Sequence, residues 1–253
     1  MPELSVLVTR PQGQGESLAA ALELQGFHPV LQPLIDIEVF PEPSPRQRSC
    51  LLGLDRYQHV IFVSANAIRC GMDWIADYWP QLPVDIHWYT VGKASASLLQ
   101  DYGVAVLQPD GEMSSEALLR LPELRAPAGQ RILLVKGEGG RALIQERLEQ
   151  RGATVDTLCC YRRRCPPLAR GELAQLLRSR TFAALLISSG EGLDNLVSLL
   201  GDELWDTVQN VPLIVPGERV AEIARQQGFG PVVVAENATD GAMLEALLTI
   251  RRE

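Results

Sequence analysis

Basic, hydroxyl and glycine residues recur in this chain directly after short apolar runs. They stand at Thr9-Arg10-Pro11, Ser64-Ala65-Asn66, Val91-Gly92-Lys93-Ala94-Ser95, Lys136-Gly137-Glu138-Gly139-Gly140-Arg141, Ser188-Ser189-Gly190 and Pro216-Gly217-Glu218-Arg219. Such residues between a strand and a helix suit an anionic ligand, because a helix N-terminus presents unpaired N–H groups and Arg adds paired donors. The plainer account is that each Ser and Gly is an ordinary helix cap. Both accounts stay open at this level.

Two further constellations could do chemistry. Tyr161 is followed by Arg162, Arg163 and Arg164 on an extended stretch, which either brings a phenol to the mouth of a cleft or covers a hinge with solvated arginines around it. The run GEGGRA at 137–142 satisfies GxGxxA after the strand-like ILLV, with Asp156 downstream, as a dinucleotide fold requires. That fingerprint is faulty in two places. Lys136 separates the strand from the glycines, and Asp156 is followed by more apolar strand residues instead of ending its strand.

Other chemistries find little support. His28, His59 and His87 are far apart and no HxxxH or CxxC spacing occurs, so no zinc ligand set is expected. Cys50, Cys70, Cys159, Cys160 and Cys165 are odd in number and lack a His neighbour in sequence, which reads as reduced, inert thiols. Trp74, Trp79, Trp88 and Trp205 lie in apolar contexts and are expected to pack rather than stack on a ligand.

The elements that must position these groups follow from a repeat. LSVLVTRPQGQGESLAAALELQGFHPVLQP, from residue 4, parallels RILLVKGEGGRALIQERLEQRGATVDTLCC, from residue 131. Leu18, Leu22 and Gly26 align with Ile144, Leu148 and Gly152. Each copy is a strand, a Gly-containing turn, a helix with apolar residues at helical spacing, and a second strand. A second unit also repeats, with 56–75 matching 180–200, 88–106 matching 213–234 and 114–119 matching 239–244. The chain therefore reads A-B-A-B, strands alternating with helices, which predicts parallel sheets flanked by helices.

Neither unit has strands enough for a stable sheet, so one A must join one B in each of two domains. At 253 residues the chain is near the size at which single cores split. The middle junction, 121–130, is short and turn-like, whereas 33–43 and 158–167 are extended. We therefore expect a discontinuous domain of 1–35 plus 168–253, an inserted domain of 40–160, and linker strands at 33–40 and 158–167.

Composition narrows the partners. The apolar share is 46% and the charged share 21%, close to the globular average. No apolar run approaches the roughly 18 residues of a membrane span, and the N-terminus does not read as a signal peptide, so a cytoplasmic protein is expected. The net charge of −8 disfavours nucleic acid.

LVTRP at 7–11, FVSANAI at 62–68, VGKASA at 91–96, KGEGGRALIQERLEQRGATV at 136–155 leading to Tyr161-Arg162, and SSGEGL at 188–193 together resemble the bacterial uroporphyrinogen-III synthase family. The likeness runs over essentially the whole chain and rests on the order and spacing of these motifs. It implies two HemD-like α/β domains, each a parallel sheet flanked by helices, joined by two extended crossover strands.

The resemblance also implies a lyase reaction of tetrapyrrole (heme) biosynthesis. Hydroxymethylbilane loses its terminal hydroxyl as water to give an azafulvene on ring A. The substituted carbon of ring D attacks to form a spiro-pyrrolenine, and fragmentation with rebonding inverts ring D to give uroporphyrinogen III. No cofactor is implied. The substrate is a polycarboxylate, so Arg10, Lys93, Lys136 and Arg141 are expected carboxylate partners together with the N–H groups near Gly137, Ser188 and Ser189. Ser64 and Ser95 match hydroxyl-bearing positions of the family, and Tyr161 matches its candidate general acid. A phenol with pKa near 10 is protonated at neutral pH, which fits donation.

This sequence departs from relatives at Glu218-Arg219, where others carry a Thr pair, which weakens a role for that turn. The partners implied are the small-molecule substrate, a transient contact with hydroxymethylbilane synthase, and a monomeric chain with no nucleic acid and no membrane. The readings that compete are a two-domain cytosolic small-anion binding protein and a dinucleotide-binding enzyme using GEGGRA.

Overall fold

The structure is a computed structural model and describes residues 4–110, 114–140, 142–168 and 171–250. The chain divides into two compact units, one of residues 1–36 and 164–253 and one of residues 37–163.

In the first unit, β1 (Ser5–Val8), α1 (Glu16–Leu24) and β2 (His28–Leu31) come from the N-terminal segment. The C-terminal segment supplies α7 (Glu172–Ser179), β9 (Phe182–Leu186), α8 (Gly190–Val208), β10 (Leu213–Pro216), α9 (Glu218–Gln226), β11 (Val232–Ala235) and α10 (Asp240–Ile250). The sheet order is β11-β10-β9-β1-β2, all parallel. Strand SVLV is buried along its whole length because both faces are covered. Leu7 packs with Leu173, Leu196 and Val220, while Val6 and Val8 pack with Leu18, Leu22 and Met243. Continuous apolar strands are what a parallel sheet with helices on both faces demands.

The second unit runs in chain order through β3 (Asp36–Val39), α2 (Pro45–Leu52), β4 (His59–Phe62), α3 (Ala65–Tyr78), β5 (His87–Thr90), α4 (Lys93–Gln100) and β6 (Val106–Leu107). It continues with α5 (Ser115–Leu118), β7 (Arg131–Gly137), α6 (Leu143–Gln150) and β8 (Thr154–Arg164). Strands β3 and β8 each carry the chain from one unit to the other. The sheet order is β3-β8-β7-β4-β5-β6, with β4 through β8 parallel. Val60, Phe62, Leu133 and Val135 face Ile68, Met72 and Ile75 of α3. Ile61, Ile132 and Leu134 face the other layer, which holds Leu118, Ile144 and Leu148.

Each sheet has one point where the strand order reverses, between β1 and β9 and between β4 and β7. Ligands of open α/β sheets bind outside the carboxyl ends of strands at such points. Arg10 and Ser188-Ser189 follow the first pair, and Ser64 and Gly137 follow or end the second.

Candidate functional site

A β-bulge builds the site in the second unit. Lys136 pairs with Cys159 but Gly137 pairs with Tyr161, so Cys160 is an extra residue in β8. A bulge re-aims the side chains after it. Here Cys160 and Tyr161, adjacent in sequence, both enter the same apolar cluster and are 0% and 3% exposed. The ring of Tyr161 then lies over the neighbouring strand at Gly137, where any side chain would collide with it.

Ser64 caps α3, its Oγ accepting the Ala67 N–H at 3.1 Å. The same Oγ lies 3.0 Å from Tyr161 Oη. Tyr161, Lys136, Gly137, Gly139, Gly140, Arg163 and Ser115 border a cavity of about 160 Å³. That is below the roughly 300–1,000 Å³ of a drug-sized ligand pocket. Gly139 and Gly140 have φ of 72° and 75°, a backbone that other residues rarely adopt, and this carries the loop around the cavity rim. Burial pushes the Tyr161 phenol up, opposed by the Ser64 hydrogen bond and the Arg163 charge. The phenol is therefore protonated at neutral pH.

The other expected site residues are placed as follows. Ser95 is on the first turn of α4 and half-buried. Lys93 opens α4, but its side chain and the whole of Arg141 lie outside the described residues. In the first unit, Ser189 caps α8 by accepting the Gly192 N–H at 3.1 Å, and Ser188 precedes it half-buried. Arg10 is committed inside the unit. Its guanidinium is paired with Asp240 and donates to the Ala238 carbonyl at 2.7 Å.

Sequence reasoning did not assign Ser115 or Arg163 to this cavity. Arg163 belongs to the run 162–164, which the sequence leaves open between a cleft mouth and a solvated hinge, and the bulge that brings it there has no sequence signal.

The dinucleotide reading does not fit. Asp156 is the third residue of β8, level with Leu133 in the middle of β7, not at a carboxyl end. Its carboxylate accepts from Arg131 and from the Tyr57 hydroxyl, both at 2.9 Å. It is a structural anchor. Among the described residues, no group of three or more His, Cys, Asp or Glu side chains could hold a metal, and no helix is long and apolar enough to cross a membrane.

Fold and site together define a two-unit α/β protein with a buried phenol at the switch point of one parallel sheet. The family model for uroporphyrinogen-III synthase HemD matches residues 16–245. The chain belongs to that family. It is 33% identical over 251 residues to the uroporphyrinogen-III synthase of Escherichia coli K12, with 96% of this chain and 100% of that protein aligned. The Salmonella typhimurium LT2 uroporphyrinogen-III synthase is 34% identical over 255 residues, with the same two shares of 96% and 100%.

Among solved structures, uroporphyrinogen III synthase of Thermus thermophilus matches with a TM-score of 0.62 at 20% identity, covering 99% of this chain and 100% of that one. Uroporphyrinogen-III synthetase of Helicobacter pylori matches with a TM-score of 0.62 at 15% identity and the same coverage. These two likenesses bear on the fold.

Proposed function

We propose that this chain closes hydroxymethylbilane to uroporphyrinogen III, with Tyr161 as the general acid. Membership of the synthase family supports the reaction. The observation that supports the assignment to Tyr161 is a phenol buried at the edge of a cavity and tied to Ser64 at 3.0 Å. Tyr161 gives its proton to the hydroxymethyl oxygen as the C–O bond breaks, and water leaves. The azafulvene cation so formed is attacked by the substituted carbon of ring D, the spiro intermediate fragments and rebonds, and the proton shed on closure restores the phenol. Lys136 and Arg163 at the cavity wall hold a substrate carboxylate. Positioning of a flexible chain is the main contribution.

Ser95, Ser188 and the N–H groups after Ser189 are further carboxylate contacts in this reading. Lys93 and Arg141 are carried as expectations only. For Arg10, the pairing with Asp240 supports a role in bracing the turn after β1. Segments 33–40 and 158–167 are proposed as linkers, supported by the chain's two crossings at 36–37 and 163–164. The working form we propose is a cytoplasmic monomer that receives its substrate by transient contact with hydroxymethylbilane synthase, because the hydroxyl of the free substrate's hydroxymethyl group leaves spontaneously in water.

The test is turnover of freshly made hydroxymethylbilane by the purified protein without additions, with isomers I and III separated. Isomer III in excess over the uncatalysed product is expected. Isomer I alone overturns the reading, and tight binding without turnover favours the anion-binding alternative.

A further inference from the structure

We propose that Ser64 is a positioning residue that directs the Tyr161 proton, by donating its own hydroxyl proton to the phenol oxygen. This rests on the general-acid reading of Tyr161 given above. A serine hydroxyl has one proton and two lone pairs. The Ala67 N–H occupies one lone pair of Ser64 Oγ at 3.1 Å, which leaves the proton and one lone pair for Tyr161 Oη at 3.0 Å. If the phenol were the donor, its proton would be spent on the helix cap and unavailable to a leaving hydroxyl. With serine as donor, the phenol oxygen is satisfied as an acceptor and its proton is free to point into the cavity.

The electrostatics favour that orientation as the reaction proceeds. Negative charge grows on Tyr161 Oη while its proton departs, and a donor there strengthens where an acceptor would repel. Ser64 stands at the N-terminus of the 14-residue α3, the positive end of the helix dipole. The chain Ala67 N–H to Ser64 O–H to Tyr161 Oη couples that end to the phenolate, each bond polarising the next. Tyr161 is 3% exposed, so water is a poor substitute for the donor. Ser64 keeps its own proton throughout.

The lowering influence of this hydrogen bond on the otherwise raised Tyr161 phenol agrees with the same arrangement.

The test uses the full chain as wild type, Ser64→Ala, Ser64→Thr, Tyr161→Phe and the Ser64→Ala/Tyr161→Phe double variant. Ser64→Gly serves as a second hydroxyl-free variant, since glycine is tolerated at an N-cap with little loss of helix stability. Two readouts are taken: kcat and KM for hydroxymethylbilane, and the ionisation of Tyr161 by tyrosinate absorbance against the Phe protein. We expect Ser64→Ala and Ser64→Gly to lower kcat about tenfold or more with KM changed less than about twofold. They should also raise the pH at which Tyr161 ionises, and Ser64→Thr should restore both. In the Phe background, removing the Ser64 hydroxyl should cost nothing further in kcat.

Two outcomes overturn the proposal and are distinguishable. If Tyr161→Phe loses rate while Ser64→Ala lowers kcat equally in both backgrounds, or leaves the Tyr161 titration unmoved, Ser64 is only a helix cap and the general-acid reading stands. If Tyr161→Phe turns over at the wild-type rate, the general-acid reading fails and this proposal with it.

Discussion

Gly137 and Tyr161 sit so close that a Cβ at position 137 would lie 2.7 Å from the Cε2 and Cζ atoms of the tyrosine ring and 3.1 Å from its hydroxyl oxygen. Atoms at that distance must move apart. The tyrosine is 3% exposed and belongs to a buried cluster, so the glycine is what lets the ring lie against β7 with its hydroxyl 3.0 Å from Ser64 Oγ.

Gly137→Ala is therefore expected to displace the Tyr161 ring, lowering kcat while costing about 1–3 kcal/mol of stability through overpacking. Gly129→Ala is the comparison. Gly129 has φ of 75° with no atom within 4 Å of an added Cβ, so it should cost about 1–2 kcal/mol in backbone strain and leave kcat alone. Steady-state kinetics beside thermal melts separate the two, and equal kcat losses would contradict the close-packing account.

Tyr161→Phe keeps the ring and removes the proton donor, so folding should survive while kcat falls. General acid catalysis is typically worth about 10²–10⁴-fold, and the low end is expected because the hydroxyl also leaves spontaneously in water. Tyr161→Ala should additionally lose about 3–5 kcal/mol of stability, as truncation of a buried aromatic ring does. A Phe variant at wild-type rate beside an unstable Ala variant would make Tyr161 a packing residue.

Asp156→Ala is expected to cost more than Arg131→Ala. The Arg131 side chain is 40% exposed, and an ion pair of that kind is worth about 0–1 kcal/mol. Asp156 also accepts from the buried Tyr57 hydroxyl, whose loss of a partner costs about 1–3 kcal/mol. Burial alone would raise the Asp156 carboxyl, but hydrogen bonds from Arg131 and Tyr57 with the charges of Arg131 and Arg46 outweigh it and hold it low. Its stabilisation is thus complete above the unfolded value near 3.9 and is lost as pH falls through the lower folded value. Denaturant melts from about pH 6 down to acid should show the wild type converging on Asp156→Asn, and a constant gap would refute the linkage.

His59 is expected to make stability pH-dependent in a higher window. It is buried, with Nε2 2.7 Å from Gln130 Oε1 and Nδ1 3.0 Å from the Tyr89 hydroxyl, an arrangement that suits a neutral ring donating to Gln130. Burial lowers its pKa, as does His87, against the Gln130 hydrogen bond and Glu123. The unfolded chain therefore takes up this proton first, and stability falls as pH drops from about 6.5 toward the lower folded value. Above about pH 7 it contributes no slope. Thermal melts of wild type and His59→Gln between about pH 8 and 5 test this, a persistent slope in the variant pointing elsewhere.

The alternation of strands and helices was legible because each element announces itself locally. Leu18 and Leu22 repeat at helical spacing, and Ser64 and Ser189 stand where helix caps belong. Parallel sheets flanked by helices followed from that alternation. What brings Ser64, Gly137 and Tyr161 together was not legible, since 97 residues separate the first from the last and the contact depends on one extra residue in β8. The run TVDTLCCYRRR that forms β8 carries nothing that marks the extra residue. Gly137 read as an anion-binding glycine, and nothing in the sequence announces the aromatic ring beside it. Arg10 read as a partner for a substrate carboxylate, and its pairing with Asp240, 230 residues away, has no local signal.

Strand β1 leaves the ribosome well before β9 but bonds to it, and the Thr9 hydroxyl meets the Leu186 carbonyl across 177 residues of chain. All of residues 37–163 are synthesised between those two partners. Pairings of such long sequence separation form late, and domains mature as units during synthesis. The second unit should therefore be complete on the nascent chain while β1 and β2 still show an unpaired edge, the kind of surface that invites aggregation. The inserted unit is thus finished while β1 still waits for a partner made long after it.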